Sequence, residues 1–186
     1  MRRDCITYLL FGQLLTLLLS GCAVSVAADG IATQTKRVLS ITGLIDDGFY
    51  VRFAVGYGPL KDTKGSCTKF EPLAGLWVPR DQMLYYDVVS SNGEYTVQLP
   101  LSAIPPGECE WRPYMISYAN SETHKFSTYL SLIAIDNPNG QRATSITYWC
   151  PKPVVFCSGN AASLRRSVTK DQASLEVNFL AAPSAH

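Results

Sequence analysis

From residue 38 onward, apolar and polar residues alternate along the chain with a period of two. In residues 49–57 large apolar side chains occupy every second position, and residues 173–179 repeat this pattern near the C-terminus. Successive side chains of an extended backbone point to opposite faces, so each run predicts a half-buried β-strand. Outside the first 22 residues the sequence contains no clear amphipathic helical pattern of about 10–12 residues.

Turn sequences divide this region into about eight predicted strands. The apolar runs are residues 38–45, 49–57, 83–89, 94–99, 109–118, 126–135, 145–150 and 173–179. Asp46-Asp47-Gly48 and Ser91-Asn92-Gly93 are favourable hairpin turns, while Pro105-Pro106-Gly107 and Asn137-Pro138-Asn139-Gly140 separate later runs. The pattern therefore predicts one all-β domain over residues 38–182, a single antiparallel β-sandwich of about eight strands.

The N-terminus carries the pattern of an export signal. Met1-Arg2-Arg3 is positively charged, and the apolar run that follows, residues 6–19, is shorter than the roughly 20 residues that span a membrane. This run ends in Leu19-Ser20-Gly21-Cys22, which resembles the lipobox of bacterial lipoproteins. The resemblance covers residues 1–22. It implies that Cys22 becomes the first mature residue and carries the acyl chains that anchor the protein in a membrane.

The resemblance also implies a division of the chain. Residues 1–21 are then a signal peptide, residues 22–37 the lipidated Cys22 with a flexible tether, and residues 183–186 a short tail after the β-domain. Ala23 follows the cysteine where an Asp would favour the inner membrane, which implies an outer-membrane lipoprotein; we expect its domain to face the periplasm. Two alternatives stay open: cleavage after Ala28, which would release a soluble protein, and an uncleaved N-terminal anchor.

Four cysteines remain if Cys5 is removed with the signal peptide and Cys22 is lipidated: Cys67, Cys109, Cys150 and Cys157. An even number in an oxidising compartment predicts two disulfides, for which three connectivities are possible. The short spacing of Cys150 and Cys157 favours a bridge between them, which leaves Cys67 for Cys109. Zinc is the alternative, but zinc sites require closer cysteine pairs or nearby histidines, so no metal ligand is predicted.

Charge argues against a nucleic-acid partner. The chain has 16 basic and 15 acidic residues, a net charge of +1. Removal of Arg2, Arg3 and Asp4 with the signal peptide leaves equal numbers of basic and acidic residues. Such a chain has no net positive potential that would attract nucleic acid, and we expect no nucleic-acid partner.

Motifs of common catalytic sites are missing from the sequence. It contains no Gly-x-Ser-x-Gly, no His-Glu-x-x-His and no phosphate-binding Gly-Lys-Ser/Thr loop. His124 is the one internal histidine and lies in a polar turn, while the carboxylate pairs Glu108/Glu110 and Asp46/Asp47 fit turns and strand ends. We therefore expect no enzyme, no catalytic residue and no cofactor.

The predicted domain contains many aromatic residues for a small sandwich. Most would fill the space between two sheets, which is the simpler interpretation of Trp77, Trp111 and Trp149. Alternation along residues 109–118 places Trp111 on one face and Arg112, Tyr114 and Tyr118 on the other. An outward face of aromatic rings and arginine has the composition of protein-interface hot spots and of sugar-stacking surfaces. Arg112, Tyr114 and Tyr118 are therefore the predicted binding residues.

Two further resemblances concern the domain as a whole. Gly93-Glu94-Tyr95-Thr96-Val97, with Pro106-Gly107 before the next strand, resembles the hairpin spacing of transthyretin-like domains, which implies a transthyretin-like or immunoglobulin-like sandwich. Small tethered periplasmic lipoproteins of this layout resemble, in architecture, immunity proteins against delivered toxins and inhibitors of envelope enzymes. We expect a non-catalytic module that binds an envelope or delivered protein. The alternative is a lipoprotein that binds carbohydrate or peptidoglycan through exposed Trp and Tyr.

Overall fold

The apolar side chains of alternating runs meet in one core between two β-sheets. The structure is a computed structural model that describes residues 36–60, 65–153, 157–159 and 166–183. Regular structure in these ranges consists of β-strands alone. The all-β prediction is therefore confirmed, while the predicted signal peptide, the lipidated Cys22 and nearly all of the tether lie outside the described residues.

Fourteen strands are present in the described residues, where the sequence predicts about eight. They are β1 (Val38–Leu44), β2 (Tyr50–Gly58), β3 (Thr68–Glu71), β4 (Leu76–Pro79), β5 (Gln82–Asp87), β6 (Ser90–Ser91), β7 (Glu94–Pro100), β8 (Arg112–Ser121), β9 (Leu130–Ile135), β10 (Gln141–Arg142), β11 (Ser145–Cys150), β12 (Ser158–Gly159), β13 (Arg166–Val168) and β14 (Ser174–Ala181). Four of the fourteen have only two or three residues, which is too short to leave a visible alternation in the sequence.

These strands form two six-stranded sheets and one separate hairpin. Sheet one has the order β12-β11-β14-β1-β7-β6, sheet two has the order β10-β13-β9-β8-β2-β5, and β3 pairs with β4 alone. The expectation of a single antiparallel arrangement is wrong, because β14 runs parallel to both β1 and β11, and β13 runs parallel to both β9 and β10. Parallel neighbours need crossover connections, which turn signals between adjacent runs do not reveal.

Of the two predicted hairpin turns, one carries the chain from one sheet to the other and one closes a hairpin. The turn at Asp46-Asp47-Gly48 joins β1 of sheet one to β2 of sheet two, so the two strands do not form a hairpin. β1 already pairs with β14 on one side and with β7 on the other, which leaves β2 no free edge. At Asn92-Gly93, with φ of 54° and 79°, the turn does close a hairpin, but its first strand is the two-residue β6 rather than β5.

Aromatic rings fill the centre of the core. Tyr118 of sheet two lies 4.6 Å from Tyr148 and 5.1 Å from Phe179 of sheet one, measured between ring centroids. Phe53 of β2 lies 6.2 Å from Phe179. The buried hydroxyl groups find backbone acceptors, since Tyr95 donates to the Val177 carbonyl at 2.6 Å. The two sheets therefore share one tightly packed apolar interior.

Both predicted disulfides are confirmed. Cys67 is bonded to Cys109 across 42 positions, and Cys150 to Cys157 across seven. The shorter bridge borders the core, where the Cys157 carbonyl accepts the Tyr118 hydroxyl at 3.4 Å and the Cys157 Sγ accepts the Asn120 amide at 3.1 Å. All four cysteines are buried.

Alkaline pH is expected to unfold the domain. Burial raises the pKa of Tyr57 and of Tyr148 to about 12, and burial also raises the pKa of Tyr95 and Tyr118. An unfolded tyrosine loses its proton near pH 10, so the folded state binds more protons above that pH. Stability is therefore unaffected by these groups below pH 10 and falls as the pH rises from 10 through 12.

Denaturant unfolding at a series of alkaline pH values, combined with tyrosinate absorbance, measures this effect. We expect the buried tyrosines to ionise together with the loss of the β-sheet circular dichroism signal. Complete tyrosine ionisation near pH 10 with the β-signal retained would contradict the burial of these rings.

Candidate functional site

A short hairpin of β3 and β4 exposes apolar side chains on both of its faces. We call residues 68–79 the apolar hairpin. Phe70 pairs across the strands with Trp77, their ring centroids 5.7 Å apart, and both side chains are about half exposed. Leu76 points to the opposite face and is also exposed, while Leu73 at the tip is 98% exposed. Thr68 at the base is buried, but beyond the base neither face is covered in the described chain, so the outer part of the hairpin stands away from the two large sheets.

The backbone of the tip is folded tightly. The carbonyl of Glu71 accepts hydrogen bonds from the N–H groups of Ala74 and Gly75, at 3.2 and 2.9 Å. Gly75 has a φ of +64°, a left-handed conformation that glycine adopts without strain. Leu73 is therefore presented at the apex of an ordered turn.

The base of the apolar hairpin is fixed to the body of the protein. Cys67, directly before β3, is bonded to Cys109, which precedes β8 of sheet two. Arg80, directly after β4, donates its backbone N–H to the Cys67 carbonyl at 3.0 Å and its Nε–H to the Thr68 carbonyl at 2.9 Å. Isolated two-stranded hairpins are marginally stable in water, so this covalent and hydrogen-bonded base is what holds the exposed rings in place.

The predicted binding residues Arg112, Tyr114 and Tyr118 do not share one face. Arg112 and Tyr114 are exposed, but Tyr118 is 1% exposed and belongs to the core, so its prediction as a binding residue is wrong. The cause is a β-bulge: Gly56 pairs with Met115 and Tyr57 with Pro113, which leaves Tyr114 without a counterpart on β2. One extra residue reverses the alternation, so positions beyond Tyr114 change face.

Tyr114 lies over the outer face of sheet two. A side chain at Gly56 would meet the Tyr114 ring at 3.2 Å, so this glycine makes room for it. Burial raises the pKa of Tyr114, and the charge of Asp81 and a hydrogen bond between the two side chains raise it further. Tyr114 is thus held in place by glycine on one side and a carboxylate at its hydroxyl end.

A cleft beside Tyr114 is lined by cations and aromatic rings together with the acidic residues Glu110, Asp136 and Asp171. We call it the end cleft; its volume is about 1120 Å³ and its lining includes Lys36, Trp111, Arg112, Tyr114 and Lys170. None of the three cations in this set has an ion-pair partner among the described residues. The Arg37 side chain also lines the end cleft but is occupied, since it forms two hydrogen bonds with Asp136 and one with the Thr169 carbonyl.

Sequence reasoning missed a second aromatic surface, on the outer face of β2, β5 and the segment before β9. The rings of Tyr85 and Tyr129 lie 5.2 Å apart, and the Arg52 guanidinium lies 4.5 Å from the Phe126 ring. Arg52 also forms two hydrogen bonds with Asp87, at 2.6 and 3.2 Å, which lower the pKa of that carboxyl group. The signal was present in the outward-facing positions of residues 50–56, where a tyrosine and an arginine stand among small residues.

Two of the polar side chains that were considered for catalysis, His124 and Asp46, make structural contacts in the described chain. The His124 ring packs on Tyr50, and the Asp46 carboxylate accepts the N–H of Ala181 at 2.6 Å. No group of three or more His, Cys, Asp or Glu side chains converges to hold a metal ion within the described ranges.

No protein-family model, curated protein or solved structure matches the chain. In the part that the structure describes, no helix is long and apolar enough to cross a membrane.

Proposed function

We propose that this chain is an envelope lipoprotein whose β-domain acts as a non-catalytic protein-binding module. The observation that carries the proposal is the apolar hairpin. Single exposed apolar residues are common on protein surfaces, but Phe70, Leu73, Leu76 and Trp77 are clustered on one ordered projection. Such a cluster costs solubility unless it is covered, so a partner surface is its expected environment.

The shape of the apolar hairpin favours a concave apolar site on the partner. Tryptophan is enriched among residues that dominate binding energies, and full burial of a large apolar side chain contributes roughly 1.5–3 kcal/mol. The disulfide and the contacts of Arg80 restrain the hairpin before binding, which lowers the entropic cost of association. An inhibitor or immunity protein needs a preformed projection of this kind and no catalytic group.

The proposed location is the periplasmic face of the outer membrane, with lipidated Cys22 as the anchor and residues 23–37 as the tether. Two disulfides in the β-domain are consistent with an oxidising compartment. We propose further that the two large sheets are the layers of one sandwich of the transthyretin-like or immunoglobulin-like kind. In this arrangement the apolar hairpin is an insertion between β2 and β5 that is free to reach a partner.

A second candidate function is the binding of peptidoglycan or another acidic glycan in the end cleft. Trp111 and Tyr114 could stack on sugar rings, while Lys36, Arg112 and Lys170 carry the charge that complements carboxylate groups. This candidate needs the end cleft and makes no use of the apolar hairpin, so the two proposals are separable by mutation.

Replacing Leu73 and Trp77 together by serine is expected to abolish partner capture without unfolding the domain. The tagged full chain, its double variant and a matched control, Trp149→Ser, are each used to capture proteins from envelope and secreted fractions. Trp149 is similarly exposed, but it lies on β11 in sheet one. We expect the same stoichiometric protein with the wild type and the control, and at least about tenfold less of it with the double variant, which corresponds to about 1.4 kcal/mol of binding energy.

Two results would contradict the proposal. Equal capture by all three proteins would show that the apolar hairpin makes no contact. Cell-wall glycan in the eluate, retained by the double variant but lost on replacing Arg112 by glutamate, would transfer the function to the end cleft. Circular dichroism and thermal unfolding of each variant establish that the domain is still folded.

A further inference from the structure

β5 is an unprotected edge of sheet two. The other three edges of the two large sheets, formed by β6, β10 and β12 in the described residues, are only two residues long. β5 has six residues, Gln82–Asp87, and its one pairing partner among the described residues is β2. It contains no lysine, no proline and no bulge, the features by which β-proteins usually prevent pairing at exposed edges.

The hydrogen-bonding groups on the free side of β5 can be assigned from the pairing with β2. Val88 donates its N–H to the Val51 carbonyl at 3.1 Å, in continuation of the register Arg52↔Asp87. Hydrogen-bonded pairs alternate along an antiparallel ladder, so Leu84 and Tyr86 also direct their backbone groups to β2. The N–H and C=O groups of Met83, Tyr85 and Asp87 therefore point away from the sheet, where they can accept a further strand.

The core-facing side chains of β5 are also incompletely covered. Tyr86 lies opposite Phe53 and Leu84 opposite Val55, so both point toward the core, but both remain half-buried where the fully paired Phe53 and Val55 are completely buried. A strand added to β5 would cover these two side chains as well as satisfy the backbone.

We propose that the occupant of this edge is β5 of a second copy of the chain, paired antiparallel about a two-fold axis at Tyr85. In this register Tyr85 lies opposite Tyr85 of the second copy, Met83 lies opposite Asp87, and Leu84 packs beside Tyr86 on the core side. Every outward backbone group of Met83, Tyr85 and Asp87 then has a partner. The two copies of sheet two become one continuous sheet, an isologous interface of the kind that closes dimers.

The positions of charged residues and the length of β5 favour this register over the two registers whose axis is shifted by one residue. An axis at Leu84 would place Asp87 opposite Asp81 of the second copy at both ends of the pairing, and like charges directly opposite are destabilising. An axis at Tyr86 would shift the pairing beyond the end of β5 and leave Met83 opposite Val89, outside the strand. The axis at Tyr85 opposes no like charges, and the one carboxylate in the paired segment, Asp87, is already neutralised by Arg52.

Cysteine substitution in the full chain tests this register. Directly opposite residues of a hydrogen-bonded antiparallel pair have Cα atoms about 5.5 Å apart, within the range that a disulfide spans. Tyr85→Cys is therefore expected to form a covalent dimer on non-reducing gels, whereas the exposed control Trp149→Cys is not. Leu84→Cys and Tyr86→Cys report on the two competing registers, and peptide mapping verifies that the native disulfides are retained.

A second measurement does not depend on an added cysteine. In detergent solution the mass of the wild-type full chain by sedimentation is expected to be that of two chains, and Tyr85→Lys, which places two lysines opposite each other, is expected to reduce it to one. Trp149→Lys is the matched control and should stay dimeric. A monomeric wild type without cross-linking would overturn the proposal, as would a dimer linked through Leu84→Cys or Tyr86→Cys instead. Cross-linking of Tyr85→Cys to a different protein would also overturn it, because the edge would then serve another partner.

Discussion

Replacing both Cys67 and Cys109 by serine is expected to lower the free energy of unfolding by about 4 kcal/mol. A bridge across 42 positions removes a large part of the chain entropy of the unfolded state, and in the loop-closure treatment this contribution grows with the logarithm of the loop length. Guanidinium unfolding of the double variant, monitored by circular dichroism and compared with the wild type, measures the change.

The second disulfide provides an internal comparison for this prediction. Cys150 and Cys157 are only seven positions apart, so the same treatment gives about 2.5 kcal/mol for their replacement by serine. A loss at Cys150/Cys157 that exceeds the loss at Cys67/Cys109 would show that native contacts around Cys157, rather than loop length, determine the contribution. The hydrogen bonds from Tyr118 and Asn120 to Cys157 are native contacts that could add to the loss of stability at this second bridge.

Loss of the Cys67–Cys109 bridge should also weaken partner capture more than stability alone explains. The bridge fixes the base of the apolar hairpin to the body of the domain, whereas the hydrogen bonds from Arg80 to Cys67 and Thr68 join only the two ends of the hairpin to each other. In the variant, the exposed rings of Phe70 and Trp77 have more freedom to lose on binding, so affinity falls even where the domain is folded. Full capture by a folded variant would show that the bridge has no role in presenting the apolar hairpin.

Local patterns in the sequence predict the strands and the cysteine pairs well. A run such as residues 49–57 buries its apolar side chains on one face as a strand, and the separation of seven positions from Cys150 to Cys157 favours a local bridge. Both are decided by neighbouring residues. The pairing of the strands depends on residues that are distant in sequence: β14 lies between β1 and β11 and runs parallel to both, and no turn signal encodes this.

The candidate site was harder to predict because its residues resemble a core. Trp77 and Trp149 are interpreted from sequence as interior residues, yet both are about half exposed. The segment from Lys69 to Trp77 is short, and one proline and one glycine interrupt its alternation, so it shows no strand pattern of its own. Its position outside both large sheets follows from the Cys67–Cys109 bridge and from the pairing of β2 with β5, which are contacts distant in sequence.

The two tyrosines of β8 that share a predicted face are expected to differ strongly in their contribution to stability. Tyr118 is buried among Tyr148 and Phe179, and its replacement by alanine leaves a cavity in a rigid core, which for large aromatic side chains costs about 3–5 kcal/mol. Tyr114 is 39% exposed on the outer face of sheet two, so Tyr114→Ala should cost about 1 kcal/mol or less. Urea unfolding of the two variants side by side measures this difference.

Tyr118→Phe separates the ring from its hydroxyl group. The ring keeps its place in the core, and only the hydrogen bond to the Cys157 carbonyl at 3.4 Å is lost, so about 1 kcal/mol is expected. Equal losses for Tyr118→Ala and Tyr114→Ala would contradict the bulge at Tyr114, because without it the two side chains would lie on the same face. A large loss of stability for Tyr118→Ala alone would instead agree with a bulge at Tyr114, where the side chains change face. Arg112 and Tyr114 could then be replaced in binding experiments without unfolding the domain.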